Sequence, residues 1–176
     1  MDNDIHAQYK VTRLGISTGI PIALLHIGKE QTDIAFGIDA EPEDMLVLNI
    51  GSNRTAVDYF KHTPPTPGEM ETAIMMVEDE VTRTGKLLTG HPKLFTMNTS
   101  IRELALIAGV SDQPVMILSI EAVERTFDLL ASLTLGRPTS SAGIPTNTSF
   151  AATLLILREF MHHLQFESIY IGTTCK

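Results

Sequence analysis

Between Pro21 and Ile50 three apolar stretches follow one another with only short polar turns between them, and this succession constrains the fold more than any other feature of the chain. Pro21 to Gly28 is an apolar run ending in glycine. Thr32 to Ile38 alternates, with Ile34, Phe36 and Ile38 on one side, and a third extended stretch runs from Met45 through Val47 and Leu48 to Ile50. Runs of this kind read as strands. Three strands joined by short polar turns form an antiparallel meander. The third is read as resuming over Thr55 to Phe60, after Gly51 and Ser52.

The following segment announces a helix. Thr66 can cap, Pro67 suits the first helical position and Glu69 completes a Thr-x-x-Glu capping box. Met70, Ile74, Val77 and Val81 then recur as a helical face, and Gly85 is a plausible stop. Pro92 to Met97 reads as a strand that runs into a second capping box, Ser100 with Glu103, opening a short helix that ends near Gly109. From Ser119 the positions Ile120, Val123, Phe127, Leu130 and Leu133 mark another helix, closed by Gly136-Arg137-Pro138. After a polar loop from Thr139 to Asn147, a final helix starts near Thr148 or Ser149. It is apolar over much of its circumference through Met161 and leads to a last strand, Ser168 to Gly172. This order is that of an α/β domain with a mixed sheet covered on both faces.

At 176 residues and 43% hydrophobic, the chain can bury one substantial core and is short for two, so residues 1–176 are read as one domain. A net charge of −8, with only 13 Lys and Arg, repels phosphate polymers unless the cations are gathered in one place, so nucleic acid is not expected as a partner. The start, Met1 to His6, lacks the basic and apolar regions of a signal peptide. The densest apolar run, Phe150 to Leu157, is far short of a membrane span. A cytoplasmic protein without membrane partners is the expectation. The one cysteine, Cys175, is penultimate, so neither an internal disulfide nor a cysteine-rich metal site can be built.

Several stretches carry a resemblance to a known family. Leu24 to Ile34 resembles the phosphate loop D-I-G-G-G-S-T-E of the exopolyphosphatase/guanosine pentaphosphate phosphatase (Ppx/GppA) family: Gly28 and Thr32 are kept, Asp33 replaces Glu, His26 stands where the family has Asp, and Lys29, Glu30 and Gln31 replace Gly, Gly and Ser. Leu48 to Thr55, followed by Thr63-Pro64-Pro65, resembles the family's L-P-L-G-A-V-R-L-T and later D-P-P, with Gly51, Arg54, Pro64 and Pro65 matching. Phe95 to Ala105 occupies the place of a second phosphate loop, G-T-S-G-T-I-R-E-L-A, with Thr96 and Thr99 in place of its glycines. Arg137, Gly143-Ile144-Pro145 and the closing helix follow the family's last segment, although Thr148-Ser149-Phe150 stand where it has R-A-D. The matches run in order from about Gly15.

The resemblance implies the second actin-like, ribonuclease-H-like domain of that family: an α/β fold with a mixed five-stranded sheet and helices on both faces, preceded by a loosely ordered segment over 1–14. It places the turns Gly28 to Asp33 and Thr96 to Ser100 side by side. It offers Gly28, Lys29, Thr32, Asp33, Arg54, Thr99 and Ser100 as phosphate-binding candidates, and Asp33 as the weak candidate for catalysis. Lys29 supplies a point charge and Thr32 a hydroxyl, yet Gly28 to Asp33 equally reads as an ordinary hairpin turn. A helix start at Ser100 can hold an anion, or Ser100 and Glu103 can consume its N–H groups themselves.

His26 and Asp33 can face each other across the hairpin, as a proton-transfer pair or as packing. No set of residues has a recognisable metal-ligand spacing. His162 and His163, adjacent on a helix, point in different directions and are read as surface or interface residues. The family's catalytic glutamate, from an E-E-A motif, would fall near Ala7-Gln8-Tyr9, where the sequence has no carboxylate.

Three functions follow. The first is a catalytically degenerate binding or assembly module for phosphate, a nucleotide or a protein. The second is an active phosphohydrolase whose cleft forms between two chains, with Mg²⁺ and a carboxylate such as Asp33 or Glu30 activating water. The third is an unrelated α/β protein sharing only the element order. A homodimer is expected, with Phe150, Leu154, Leu157 and Met161 of the closing helix as the contact surface.

Overall fold

The computed structural model describes residues 4–138, 140 and 142–173; Cys175 lies outside them. The meander expected from the apolar runs is present as β1 (Ile22–Ile27), β2 (Thr32–Gly37) and β3 (Asp44–Leu48), each antiparallel to the next. Along β1 every residue is buried, because alternate side chains enter two different cores. Ala23, Leu25 and Ile27 face the larger core, and Ile22 and Leu24 face a smaller one with Ala35.

A helix preceding the sheet closes the smaller core. The expectation of a loosely ordered segment over 1–14 is corrected here: Ile5–Leu14 form α1, capped by the Asp4 carboxylate, which accepts from the N–H groups of His6 and Ala7. Tyr9 and Arg13, one turn apart, are its buried residues. The Arg13 guanidinium lies between the helix and the meander, donating to the Gly37 carbonyl at 2.8 Å, the Ile20 carbonyl at 2.8 Å and the Tyr9 hydroxyl at 3.0 Å. A charged residue as the anchor of a helix face hides that face from hydrophobic periodicity.

The expected continuation of β3 over Thr55 to Phe60 is also corrected. Ser52–Tyr59 form helix α2, because Ala56 and Phe60, four apart, share one buried face. Helix α3 (Pro67–Thr82) starts at the expected capping box: Thr66 Oγ1 accepts from the Glu69 N–H and the Glu69 carboxylate accepts from the Thr66 N–H. It ends at Thr82, one turn before Gly85. Then come β4 (Lys93–Thr96), α4 (Thr99–Ile107), β5 (Met116–Ser119), α5 (Ile120–Thr134), α6 (Thr148–His163) and β6 (Ser168–Ile171).

The sheet is mixed and has six strands in the order β3-β2-β1-β4-β6-β5, one more than expected. The addition is β5, whose four residues sit directly before the Ser119 cap of α5 and pair antiparallel with β6 at the edge. So short a run has too few alternations to be told from the helix it precedes.

Helices cover both faces: α1 lies on one, and α2 to α6 contribute to the larger core on the other. Helix α6 is the centre of that core, packed against α2, α3 and α5. Its apolar circumference therefore has partners within the chain. Leu154, Leu157 and Met161, the surface proposed for a dimer, are fully buried, and Phe150 is half-buried. Among the described residues no helix is long and apolar enough to cross a membrane.

Because the cavity left by a fully enclosed leucine cannot collapse, Leu157→Ala should lower unfolding free energy by about 2–5 kcal/mol in urea denaturation. Leu135→Ala, at a residue 78% exposed, should stay within about 0.5 kcal/mol of the parent.

Candidate functional site

Strands β1 and β4 are parallel neighbours, so the turns that follow them leave the sheet at the same edge. Open α/β sheets bind ligands at the carboxyl ends of their strands. Here that edge carries a cleft of about 500 Å³. Gly28 and Lys29 line it from the first turn and Met97 to Ser100 from the second. The juxtaposition of the two turns expected from the sequence is thus the arrangement in the structure. Gln8 of α1, Ser52 of α2 and Ser149 of α6 complete the walls, with His26 at the end of β1.

Asn98 ties the two turns together. Its side-chain oxygen accepts from the Ile27 N–H at 2.6 Å and its amide donates to the Ile27 carbonyl at 3.2 Å, so the buried side chain continues the β1–β4 pairing beyond the last backbone bond. Asn98 is also the N-cap residue of α4, and with its side chain committed to Ile27 it makes no side-chain cap. The capping box expected at Ser100 and Glu103 is therefore corrected: the helix begins at Thr99, and Ser100 sits inside its first turn. The first intrahelical bond runs from the Arg102 N–H to the Asn98 carbonyl, so the Thr99, Ser100 and Ile101 N–H groups precede the ladder. They end the helix at the cleft wall formed by Thr99 and Ser100, where the helix dipole favours negative charge.

The first turn is built differently. Its carbonyls point at the start of α2: Gly28 O accepts from Ser52 N, and Lys29 O accepts from the N–H groups of Asn53 and Arg54. The α2 donors are consumed by the turn itself. This close approach explains two glycines. A Cβ on Gly51 would lie 2.5 Å from Lys29 O, and one on Gly28 would lie 2.7 Å from Gln31 O.

The remaining candidates divide by position. Thr32 is buried and its hydroxyl donates to the Ile50 carbonyl at 2.8 Å, a latch between β2 and the chain beyond β3. Asp33 accepts from the Gln31 amide at 2.7 Å, and Glu30 accepts from the Asn53 amide at 2.8 Å. Arg54 is exposed and lines a separate depression with Asp58 and Glu80. Gly28, Lys29, Thr99 and Ser100 line the cleft; Thr32, Asp33 and Arg54 do not.

Of the lining residues outside the phosphate-binding candidates, His26 and Gln8 bear most on the chemistry. His26 is 7% exposed and both its ring nitrogens lack a hydrogen-bond partner. Burial pushes its pKa down, and Asp33, its partner across the β1–β2 ladder, opposes the shift without reversing it. Gln8, in the stretch where the resemblance places a catalytic glutamate, puts a neutral amide on the wall. The lining therefore holds one lysine and no carboxylate, in a chain of net charge −8. Mg²⁺, which prefers carboxylate and water oxygens, does not fit this donor set.

No protein-family model and no curated protein matches the sequence. Solved structures do match the fold. A Ppx/GppA protein family member from Aquifex aeolicus aligns with 94% of this chain at a TM-score of 0.73 and 16% identity. An exopolyphosphatase from Cytophaga hutchinsonii aligns with 96% at 0.71 and 16%, and an exopolyphosphatase-like protein with 96% at 0.67 and 12%. The chain spans only 56%, 59% and 63% of their respective lengths. The α/β fold expected from the motifs is the fold of these structures, and the chain resembles them over nearly its whole described length.

Two measurements check this geometry. Asn98→Ala leaves a buried N–H and carbonyl of Ile27 without partners, and should cost about 1–3 kcal/mol of stability. His26 has a folded pKa below its unfolded value of about 6.5, so the unfolded chain takes up the proton first as pH falls. Its stabilising contribution is complete above that value and is lost as pH drops through it towards the folded pKa. Urea midpoints between pH 7.5 and 5.5 should fall less steeply for His26→Phe than for the parent.

Proposed function

We propose that this chain is a catalytically degenerate, Ppx/GppA-like unit that binds a phosphate group, free or as part of a nucleotide, at the α4 end of the cleft. The observation that carries the reading is the wall chemistry: an uncapped helix N-terminus, the Lys29 ammonium, and the hydroxyls of Ser52, Thr99, Ser100 and Ser149 converge with no carboxylate among them. Donors gathered at a helix start favour an anion, and Ser52 and Ser100 among them are half-buried. His26 adds two unpartnered ring nitrogens.

The same chemistry supports the absence of turnover. Hydrolysis of a phosphoanhydride needs a group that orients water and charge that stabilises the transferring phosphoryl group, commonly through metal ions. Gln8 offers an amide, and the carboxylates of Glu30 and Asp33 are engaged by Asn53 and Gln31 outside the cleft lining. An active hydrolase completed by a second chain would have to import its carboxylates from that chain.

Pyrophosphate titrated against the protein at low ionic strength should bind with one-to-one stoichiometry. Lys29→Gln should weaken it about tenfold or more, the scale of one charge-assisted hydrogen bond. Gln8→Glu, which puts a negative charge on the wall, should weaken it by a similar factor. Absence of binding at about 10 mM, a few kcal/mol below any useful affinity, sinks the anion site. Metal-dependent phosphate release by the parent protein, lost in Asp33→Ala, sinks the degenerate reading in favour of the two-chain hydrolase.

A further inference from the structure

We propose that Glu78, Glu159 and His163 form a divalent-metal site of the zinc class where α3 and α6 pack together, remote from the cleft lining. Glu159 and His163 are four apart on α6 and so share one face, and Glu78 comes from α3. His163 Nε2 lies 2.9 Å from Glu159 Oε2 and 3.7 Å from Glu78 Oε1, and the three donor atoms all lie within 4.8 Å of one another. Zinc at about 2.0–2.1 Å from nitrogen and oxygen ligands in a tetrahedron separates neighbouring donors by about 3.3 Å. The two distances to the imidazole fall either side of that value, within reach of side-chain rotation.

The carboxylate of Glu159 is already oriented for such a ligand. Arg158 Nη1 donates to its Oε1 at 2.5 Å, which leaves Oε2 turned to His163, and Arg158 Nε is held in turn by Glu124 Oε2 at 2.9 Å. A charged group hydrogen-bonded to the far oxygen of a ligating carboxylate is the usual outer-shell device of a metal site. The charge balance points the same way. The Glu159 side chain is 1% exposed, its Arg158 partner is shared with Glu124, and Glu78 brings a further carboxylate to 3.7 Å from His163. A buried carboxylate in such surroundings requires compensating charge.

A dication at this point adds two positive charges beside those carboxylates. The mixed nitrogen and oxygen donor set favours zinc over Mg²⁺ or Ca²⁺, which take oxygen ligands. The His163 and Glu78 side chains, 25% and 45% exposed, leave an entry route and room for a water as fourth ligand. His162 and His163 are adjacent in sequence, while the ligand pair on α6 is Glu159 with His163.

The test uses the whole chain, stripped with a chelator and titrated with zinc against a chromophoric competitor, and with Co²⁺ for its ligand-field absorption. One metal per chain is expected, with thermal unfolding shifted upwards at saturation. Glu78→Gln, at a half-exposed position that leaves folding intact, and His163→Ala should each weaken binding by at least about tenfold, and Glu124→Gln, acting through Arg158, by about tenfold. Absence of zinc binding at about 100 μM overturns the assignment, as does binding that survives Glu78→Gln or His163→Ala within about threefold, a change smaller than loss of even an outer-shell partner produces.

Discussion

Enclosure of α6 on nearly all sides is the constraint on which the rest of the molecule depends. From Ala151 to Leu157 every residue of this helix is buried, and Phe160 and Met161 extend the run. A helix apolar all round must be surrounded. Here α2, α3 and α5 surround it, and the core they share continues to the sheet through Leu25, Ile27, Leu94 and Ile169. Burial of each leucine, isoleucine, phenylalanine or methionine among them is worth about 1.5–3 kcal/mol relative to exposure, so this one helix organises a large share of the hydrophobic stabilisation. It also sets the polar exceptions. Arg158 and Glu159 lie in the same helix, where Arg158 bonds both Glu124 and Glu159 and Glu159 bonds His163.

The cleft rests on a second, local substitution of one kind of bond for another. A parallel strand pair ends where its backbone ladder ends, and at β1 and β4 the side chain of Asn98 carries it one step further. Using Asn98 in this way removes it from capping α4, which is what leaves that helix start open at the cleft. The opposite happens across the cleft, where the turn after β1 turns its carbonyls to the start of α2 and satisfies it. Two helix starts of similar sequence context therefore differ in what they can offer a ligand. The difference lies in where neighbouring hydrogen bonds go, which the Asn98 side chain and the bare Gly51 backbone allow.

Retained and altered motif positions take on new meanings in this light. Gly51 and Gly28 match the family pattern, and in this chain both are required by the backbone of the turn itself. Thr32 also matches, and its hydroxyl is spent on Ile50. A matched residue is thus not by itself a ligand residue. Gln8, which no motif singled out beyond the lack of a carboxylate in its stretch, reaches the cleft because α1 packs across β1 and β2.

The sequence by itself determined the meander, the capped start of α3, the Ser119 and Gly136 boundaries of α5 and the apolar circumference of α6, because each rests on local chemistry: alternation, a capping box, a glycine with positive φ at Gly136, a dense apolar run. The resemblance of its motifs to the Ppx/GppA family also implied that the two turns lie together. Tertiary structure alone decided the rest. Helix α1 is anchored by a buried arginine whose partners are carbonyls of the meander, and no periodicity registers such an anchor. Helix α2 and strand β5 are too short for their patterns to discriminate, so their neighbours choose for them. Which donors face the cleft, and which carboxylates turn away from it, depends on hydrogen bonds between residues as distant in sequence as Ile27 and Asn98, and a spacing along the chain carries no record of them.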